Sequence, residues 1–590
     1  MKIQLDKASK SNIWLFFIII MIVLFKAYPL LFDENMVAYS AAELHFYDNS
    51  LYPNNLDVIL NEHSVSPRFI SFLLFYVLMK VGLTYEWAYI FIYLSTCFLT
   101  AIAIFYYSKK ALISTNLHTV ILLSFFTVFS IIGYYAGFNT FDPQSLFMGL
   151  GTSFSTFAVV LSLITLKRND PLPYFLVVCA ALAHVHEGIW GFAIVSILLF
   201  IKNGFSIFKN YGFYIAIISI LSVTIPTLLT SGSSLSSSDF YNIYVLYRVP
   251  HHLYFWDSFP SQFIVQLLSY AIIYYFVRKY GESKNDERVC LYLGGVFILT
   301  IVVWYATCEL MHISFFMKLY ISKFIKYINI VFTLLLCKSL SSNKVGKSAL
   351  LFLLSSLLIY SYFADLFIFA LPALLLLFAI DRIGLKDKFK DYIFLGLTIF
   401  FILIGIKAQS LLFVGLIAAL TIVLSFKKYN YFSAFFVLLS FLIVIIGKPI
   451  VSNPDLNYTK QLLAKQTGRD LCVFSERIAS FVPKEKIILA DYLTPESGFL
   501  QHISRRDIYV LHKAAPSNEA GVLTWFQRIK EVENMNDWDS KQYEVFMKAN
   551  SIDYLVLNSD SVIIDLSDRF EEVTKEGRFT LYYLNNKILK

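Results

Sequence analysis

The sequence predicts a polytopic α-helical membrane protein that ends in a small α/β domain. Only 15% of the 590 residues are charged and 57% are hydrophobic, whereas soluble domains carry about 25% charged residues. Apolar runs such as "WLFFIIIMIVLFKAYPLLF" and "YFSAFFVLLSFLIVIIG" approach the roughly 20 residues that a helix needs to cross the hydrocarbon core. This pattern stops after residue 448, and shorter mixed runs replace it. We therefore expect a transmembrane module over 1–448 and a separate domain over 449–590.

Basic residues favour cytoplasmic loops, so their positions predict the topology of the membrane module. Three lysines precede the first apolar run, which is longer than the core of a signal peptide. We therefore expect an uncleaved first span that runs outward. The segment 33–67 holds six acidic residues and no lysine or arginine, which is typical of an external loop. Placing the later basic clusters inside leaves 231–260, 309–326 and everything after 448 outside, with about 13 spans in total.

Two regions resist this alternation. Lys109, Lys110, Lys167 and Arg168 cannot all be cytoplasmic if single spans separate them. The apolar stretch 173–200 forms either one long helix or two short helices around "EGIWG". The sequence leaves both questions open.

The C-terminal segment alternates strand-like and helix-like runs. The predicted strands are "EKIILADYL", "RDIYVLHKA", "IDYLVLNSD" and "RFTLYYLNN", and the predicted helices are "YTKQLLAKQTGRDLCVFSERIASFV" and "LTWFQRIKEVENM". This alternation favours a small α/β domain, which the topology places outside the cytoplasm. No G-x-G-x-x-G or P-loop follows a strand, so the segment shows no nucleotide-binding motif.

Cysteine spacing and charge distribution exclude two further classes of site. The six cysteines are scattered without a CxxC pair, so neither a zinc site nor a disulfide framework is indicated. No basic patch with interleaved aromatic residues stands out in a soluble segment, so we expect no nucleic-acid partner.

The first candidate site is the pair of carboxylates Asp33 and Glu34 at the mouth of the first span. A carboxylate at the membrane surface can act as a general base that takes a proton from an incoming hydroxyl. The alternative is a solvated helix end without a catalytic role.

The second candidate is "ALAHVHEGIWG", which carries His184, His186 and Glu187 in an otherwise apolar segment. Ionisable groups at membrane depth are costly and usually face a cavity or a partner. The two histidines are two residues apart, so on one helix they would point about 200° from each other, unlike the i, i+4 pair of metalloprotease helices. Ligand contact and a structural hydrogen-bonding role remain as alternatives, with a metal site as a third.

The third candidate is "YVLYRVPHHLYFW", with Arg248, His251 and His252 at the end of a span. The planar guanidinium of arginine matches the geometry of phosphate. Lys318, in a segment predicted to be external, adds positive charge at the same membrane face, and so do Lys323 and Lys326. The alternative is an interfacial anchor of aromatic residues.

These features resemble the bacterial members of the C-type (GT-C) superfamily of integral membrane glycosyltransferases. The resemblance rests on Asp33 and Glu34 after the first span, on "NSLYPNN" in the same loop, and on "SPRFISFLLFYVLMKVGL" where the second span would begin. "LKRNDPLPYFLVVCAALAHVHEG", "RVPHHLYFW" and "SRRDIYVLHKAAP…LTWFQR" resemble stretches of an uncharacterised bacterial subgroup. The resemblance implies a GT-C-like fold and a polyprenyl-phosphate-linked sugar donor. Many relatives carry an acidic residue where this chain has Asn54 and Asn55, which leaves open whether Asp33 is the base.

The expected activity is transfer of a sugar from a polyprenyl-phosphate donor to a glycan or lipid acceptor of the cell envelope. It would take place on the outer side of the bacterial cytoplasmic (inner) membrane. Asp33 and Glu34 would be catalytic, and Arg248, His251, His252 and Lys318 would bind the donor phosphate. His184, His186 and Glu187 would line the cavity, and Arg505, Lys513 and Trp525 would contact sugar or acceptor. No cofactor is firmly indicated, and a divalent metal stays an open alternative.

Two rival functions share parts of this pattern. An O-antigen or capsule polymerase or ligase also uses a lipid-linked substrate in the same membrane. A transporter or flippase of lipid-linked sugars would often show internal repeats, and the sequence shows none that we can detect.

Overall fold

The fold is that of a computed structural model. It describes residues 7–27, 32, 34–61, 69–112, 119–121, 123–124, 146–164, 170–229, 235–248, 254–258, 261–342, 345–346, 349–350, 352–353, 370–383, 386–407, 437–440, 443, 455–491, 494–516, 519–560, 566 and 569–585.

The membrane module is helical throughout its described part. Its helices are α1 Lys7–Ala27, α2 Glu34–Tyr47, α3 Leu56–Asn61, α4 Phe69–Lys80, α5 Tyr85–Lys110, α6 Leu146–Ile164, α7 Leu172–Ala183, α8 Val185–Asn203, α9 Tyr211–Leu229, α10 Ser237–Phe240, α11 Phe255–Ser258, α12 Ser261–Tyr280, α13 Lys284–Trp304, α14 Ser314–Leu319, α15 Ser322–Leu340, α16 Ala370–Arg382 and α17 Asp387–Lys407. A 3₁₀ turn covers Gly204–Lys209, and π-helical turns cover Tyr241–Arg248 and Tyr305–Leu310.

Four helical stretches in the described part of the chain are long and apolar enough to cross a membrane. They are Tyr85–Lys110, Val185–Lys209, Lys284–Leu310 and Ser314–Leu340. Shorter apolar helices cover Asn12–Leu24, Gly149–Ile164, Leu172–Ala183 and Tyr211–Ile225. The helical membrane module is therefore confirmed, while the count of about 13 spans stays a prediction.

Helices α5 and α6 pack parallel to each other, which differs from the simple alternation of spans that the topology assumed. The hydroxyls of Thr100 and Ser153 lie 2.8 Å apart, and the rings of Tyr106 and Phe157 are 6.1 Å apart further along both helices. Both helices therefore end at the same face of the bundle. Lys110 ends α5 there, and α6 ends at Ile164, shortly before Lys167 and Arg168, which lie outside the described residues.

The stretch 173–200 forms two helices, α7 and α8, which break at His184. The backbone of His184 is extended, at φ −159° and ψ 116°, so it both ends α7 and begins α8. The helices then pack tightly, because a Cβ on Gly188 would lie 2.3 Å from the Cα of Ala181. A residue with any side chain at 188 would push the two helices apart, so the glycine of "EGIWG" serves close packing.

The run "SPRFISFLLFYVLMKVGL" does not form a complete second span in the described structure. Its helix α4 has 12 residues, about 18 Å, whereas the hydrocarbon core is about 30 Å thick. Lys80 at the end of α4 lies 4.7 Å from the ring of Tyr47, and Phe75 stacks on Tyr85 at 4.9 Å. Both ends of the connection to α5 therefore stay near the first external loop.

The C-terminal segment folds as the predicted α/β domain. Helices α18 Tyr458–Thr467, α19 Arg469–Phe481, α20 Pro495–Ser504, α21 Glu519–Val532 and α22 Ser540–Ala549 accompany strands β1 Ile487–Leu489, β2 Asp507–Ile508, β3 Tyr554–Asn558, β4 Phe570–Glu576 and β5 Phe579–Leu584. The sheet order is β2-β1-β3-β5-β4, with β1 parallel to β2 and β3 and the remaining pairs antiparallel. The first predicted helix is divided at Gly468, whose φ of +87° ends α18.

The close packing at Gly188 gives a prediction about stability. Gly188→Ala should lower the midpoint of thermal unfolding in detergent, because overpacking typically costs about 1–3 kcal/mol. Gly294→Ala is the matched control, since a Cβ there meets nothing within 4 Å and alanine favours a helix. Equal midpoints for the two variants would contradict the close crossing of α7 and α8.

Candidate functional site

The segments predicted to be external meet the C-terminal domain at one end of the helical bundle, here called the domain face. Tyr52 of the first loop donates to the carbonyl of Gln501 at 2.9 Å. Arg248 Nη2 donates to the carbonyl of Lys513 at 2.6 Å, and Lys318 pairs with Glu519 at 2.6 Å. Three separate loops therefore contact one domain, as expected for segments on one side of a membrane.

The opposite face carries ion pairs of its own. Lys279 pairs with Asp381 at 2.7 Å, and Lys338 pairs with Asp286 at 2.7 Å. Lys279 belongs to a basic cluster predicted to be cytoplasmic, and the orientation of the module in the membrane stays a prediction.

A buried ion pair lies in the bundle below the domain face. Lys326 Nζ is 2.6 Å from Glu187 Oε2 and donates to Thr152 Oγ1 at 2.9 Å. Tyr327 donates to the same carboxylate oxygen at 2.5 Å, and Thr152 does so at 3.1 Å. Glu187 is fully buried and Lys326 is 5% exposed. The pair joins α6, α8 and α15, and three donors meet at Glu187 Oε2. The other carboxylate oxygen, Oε1, is buried and accepts no hydrogen bond from the described residues.

Both histidines of "AHVHEG" lie next to this ion pair. The rings of His184 and His186 are 5.3 Å apart, and the ring of His186 is 5.4 Å from that of Tyr320. The hydroxyl of Tyr320 bonds that of Tyr244 at 2.6 Å, and Lys323 Nζ lies 4.8 Å above the Tyr320 ring. The helix break at His184 is what brings the two rings together, which an unbroken helix would not do.

We call His184, His186, Tyr244, Tyr320 and Lys323 the histidine–lysine cluster. Lys323 is only 4% exposed and His184 also 4%. Tyr320 has a left-handed backbone, at φ +51°, between α14 and α15. Such backbone strain in a non-glycine residue is concentrated at functional sites.

Arg248, Lys318, Lys513 and Trp525 lie together at the contact between the loops and α21. Arg248 lies 6.0 Å from the ring of Trp525, and Trp525 donates to the carbonyl of Leu511 at 2.9 Å. Trp525 is fully buried in the domain core, so its ring offers no exposed face for a sugar. Glu519 neutralises Lys318. We therefore place Trp525 in the core and assign Lys318 to docking of the domain.

Arg505 lies apart from this group. Its Nη2 is 2.6 Å from Glu86 Oε1, on the first turn of α5, and its side chain is 25% exposed. The geometry connects the domain to the membrane module here and gives no contact with the histidine–lysine cluster among the described residues.

The residue before the predicted catalytic carboxylates, Phe32, has a left-handed backbone. Phe32 is fully buried, has φ +62°, and stacks on Tyr89 of α5 with ring centroids 5.2 Å apart. Asp33, His251 and His252 lie outside the described residues. Glu34 is the first residue of α2, and its side chain also lies outside the described part.

One carboxylate of the domain face was not among the candidates predicted from sequence. Glu309 accepts from Tyr241 at 2.6 Å and from the backbone N–H of Phe255 at 2.8 Å. An acid directly after the apolar run of α13 was the available signal. In the described part of the chain no three histidine, cysteine, aspartate or glutamate side chains are arranged to hold a metal ion.

The buried ion pair gives a prediction that a double-mutant cycle can test. Glu187→Gln leaves the ammonium of Lys326 without its carboxylate, and breaking a buried pair in this way costs about 3–5 kcal/mol. The double variant Glu187→Gln/Lys326→Met should recover much of the midpoint of thermal unfolding. Asp455→Asn, at the exposed pair with Arg469, is the control and should leave the midpoint unchanged. Additive effects of Glu187→Gln and Lys326→Met would contradict the pair.

Two titrating groups of the C-terminal domain predict opposite pH dependences. Burial raises the pKa of Asp507 to about 7, against the bond from the N–H of Asn54 and the charge of Arg506. Burial and the charge of Arg505 lower the pKa of His502 to about 4, against the opposing effect of Glu86. Between pH 4 and 7 the folded chain holds a proton on Asp507 that the unfolded chain releases. The contribution of Asp507 to the free energy of unfolding therefore falls as pH rises. His502 stays neutral where the unfolded histidine would be charged, so its contribution is lost as pH falls.

The contributions of Asp507 and His502 to the pH dependence of stability therefore partly cancel in the native protein. Asp507→Asn should remove the contribution of Asp507. The midpoint of thermal unfolding should then fall more steeply on acidification from about pH 6.5 to about pH 4.5 than in the native protein. The same slope in both proteins would show that Asp507 carries no shifted proton.

Comparison with known proteins finds similarity in overall fold alone. Neither a protein-family model nor a curated protein sequence matches the chain. Two solved structures are similar to it. ArnT from Cupriavidus metallidurans in the apo state is 10% identical, with 98% of each chain covered and a TM-score of 0.45. The structure of ArnT bound to undecaprenyl phosphate is 13% identical, with 96% of this chain and 98% of that chain covered and a TM-score of 0.44. A likeness of this kind does not assign an activity.

Proposed function

We propose that the chain is a membrane glycosyltransferase. It moves a sugar from a polyprenyl-phosphate donor to a glycan or lipid acceptor of the cell envelope, at the domain face, on the outer side of the bacterial cytoplasmic membrane. The observation that carries this proposal is the burial of Lys323 and Lys326 beside His184 and His186, at the domain-facing end of an otherwise apolar bundle. Ionisable groups buried in a membrane protein are costly and are typical of substrate and ion pathways.

The donor phosphate would bind at the histidine–lysine cluster. The cluster presents an ammonium, two imidazoles and two phenols within one small region, and all of these groups can donate hydrogen bonds to phosphate oxygens. Lys326 is held by Glu187, so it supports the cluster rather than binding the donor. Arg248, His251 and His252 remain proposed phosphate ligands from the neighbouring loop.

The acceptor would be activated by Asp33, with Glu34 as the second candidate. In an inverting displacement the acceptor hydroxyl gives its proton to the carboxylate, and its oxygen forms a bond to the anomeric carbon of the sugar. The bond from that carbon to the phosphate oxygen breaks, and polyprenyl phosphate leaves with its negative charge. Cations at the phosphate stabilise the charge that develops on the leaving group, which is the role proposed for Lys323.

Native mass spectrometry with undecaprenyl phosphate tests the binding step. Lys323→Ala should weaken binding about 10-fold or more, because hydrogen bonds to charged groups contribute about 1.5–3 kcal/mol. Lys279→Ala, a lysine at the opposite face, is the matched control and should bind as the native protein does. Equal binding by both variants would remove Lys323 from the site.

A transfer assay with a panel of undecaprenyl-phosphate-linked hexoses tests the chemistry. Asp33→Asn should lower kcat by about 100- to 10,000-fold, the usual contribution of a general base, while binding of undecaprenyl phosphate stays unchanged. Full activity of the variant would assign the base to another carboxylate. A ladder of products instead of one added sugar would favour a polymerase.

A further inference from the structure

The C-terminal domain binds the first external loop through a set of polar contacts, here called the interlock. On the loop side, Tyr52 donates to the carbonyl of Gln501 at 2.9 Å, and the N–H of Asn54 donates to Asp507 Oδ2 at 2.9 Å. Asn55 Nδ2 donates to Gln501 Oε1 at 3.0 Å. Tyr52, Gln501 and Asp507 are fully buried, so these bonds form away from water, where their loss costs most.

A second part of the interlock contacts α2, inside this loop, and the start of α5. His502 bonds the hydroxyl of Ser40 on α2 through Nδ1 at 2.9 Å. Arg505 pairs with Glu86 on the first turn of α5 at 2.6 Å, and its guanidinium lies 5.8 Å from the ring of Tyr85. Residues 501–507 of the domain therefore contact α2, the loop segment 52–55 and the start of α5 at once.

The helices held in this way, α2 and α5, both lie next to the beginning of the loop. Phe32 stacks on Tyr89, which is one helical turn from Glu86 on α5. Glu34 begins α2, and Ser40 follows six residues later in the same helix, about 9 Å along its axis. Phe32 and the first residue of α2 are therefore both next to helices that the domain holds.

We propose that Gln501 and Arg505 are positioning residues, through which the C-terminal domain orders the first external loop and holds its beginning, the site of Asp33, in place for the transfer reaction. This rests on the proposed function. Arg505 accordingly acts through Glu86 and touches neither sugar nor acceptor. The domain is then a required part of the catalytic unit.

The identity of residue 55 follows from the same contacts. Asn55 Oδ1 accepts from the N–H groups of Asp57 and Val58, which leaves its Nδ2 to donate to Gln501 Oε1. Gln501 Oε1 also accepts from the N–H of Ile508 at 3.3 Å. A flip of the Gln501 amide would place its Nε2 donor against the N–H of Ile508. The amide therefore keeps its oxygen at this position, and Gln501 requires a donor at position 55. An aspartate would oppose two oxygens, although it would cap α3 equally well.

Hydrogen exchange of the full-length protein in detergent tests whether the domain orders the loop. Arg505→Ala and Asn55→Asp should each raise amide exchange in residues 34–61 by about 10-fold or more, since opening becomes easier by about 1.4 kcal/mol or more. Arg505→Lys should restore part of the protection. Arg469→Ala, at an exposed ion pair of the same domain, should exchange as the native protein does. Asn55→Asp is nearly isosteric and so keeps the test valid if Arg505→Ala fails to fold.

Kinetics of the same variants test the positioning role. Asn55→Asp and Arg505→Ala should lower kcat about 10-fold or more, with undecaprenyl phosphate binding within about 2-fold of native. Exchange in 34–61 that stays at the native rate in both variants would overturn the proposal. So would faster exchange with an unchanged kcat. Absence of transfer in the native protein would overturn the proposed function and with it the catalytic role, while the exchange rates would still decide whether the domain orders the loop.

Discussion

The ion pair between Glu187 and Lys326 constrains how the membrane module is built. A charge in an apolar bundle requires its partner at bonding distance, so α6, α8 and α15 must approach closely at this depth. Glycines allow it. A Cβ on Gly151 would lie 2.9 Å from the Cβ of Glu187, and one on Gly191 would lie 2.2 Å from Ser155 Oγ. The break before α8 follows from the same requirement, because it sets Glu187 on the first turn of a helix that descends beside α6.

The domain face is built by bonds that join segments far apart in sequence. Glu519 meets Lys318 across 201 residues, and Glu86 meets Arg505 across 419. The π-helical turn Tyr241–Arg248 lies against a second one through the bond from Tyr241 to Glu309. π-Helical turns are rare and are frequently found at functional sites. Two of them in contact agree with a site at this face, and both adjoin loops that the domain contacts.

Sequence patterns predicted the helical module and the α/β domain because hydropathy and strand composition are local properties. They did not predict β4, since "FEEVTKE" forms a strand in which Glu571 and Glu572 are both exposed. They grouped His184, His186 and Glu187 as one candidate site, but the break at His184, which places the two rings 5.3 Å apart, was not predicted. The roles of Trp525 and Arg505 depend on partners distant in sequence, which residue type alone does not indicate.

The middle of the first external loop is held by the C-terminal domain, which limits the side chains that fit there. Asn54 and Asn55, the positions at which the sequence resemblance implies an acid, are both bonded to this domain. An acid at 55 would face Gln501 Oε1, and an acid at 54 would face the backbone carbonyl of Glu485, to which Asn54 Nδ2 donates at 2.8 Å. Docking of the domain thus disfavours a carboxylate at positions 54 and 55. Asp33, the residue that follows the left-handed backbone of Phe32, stays the proposed base of the proposed transfer.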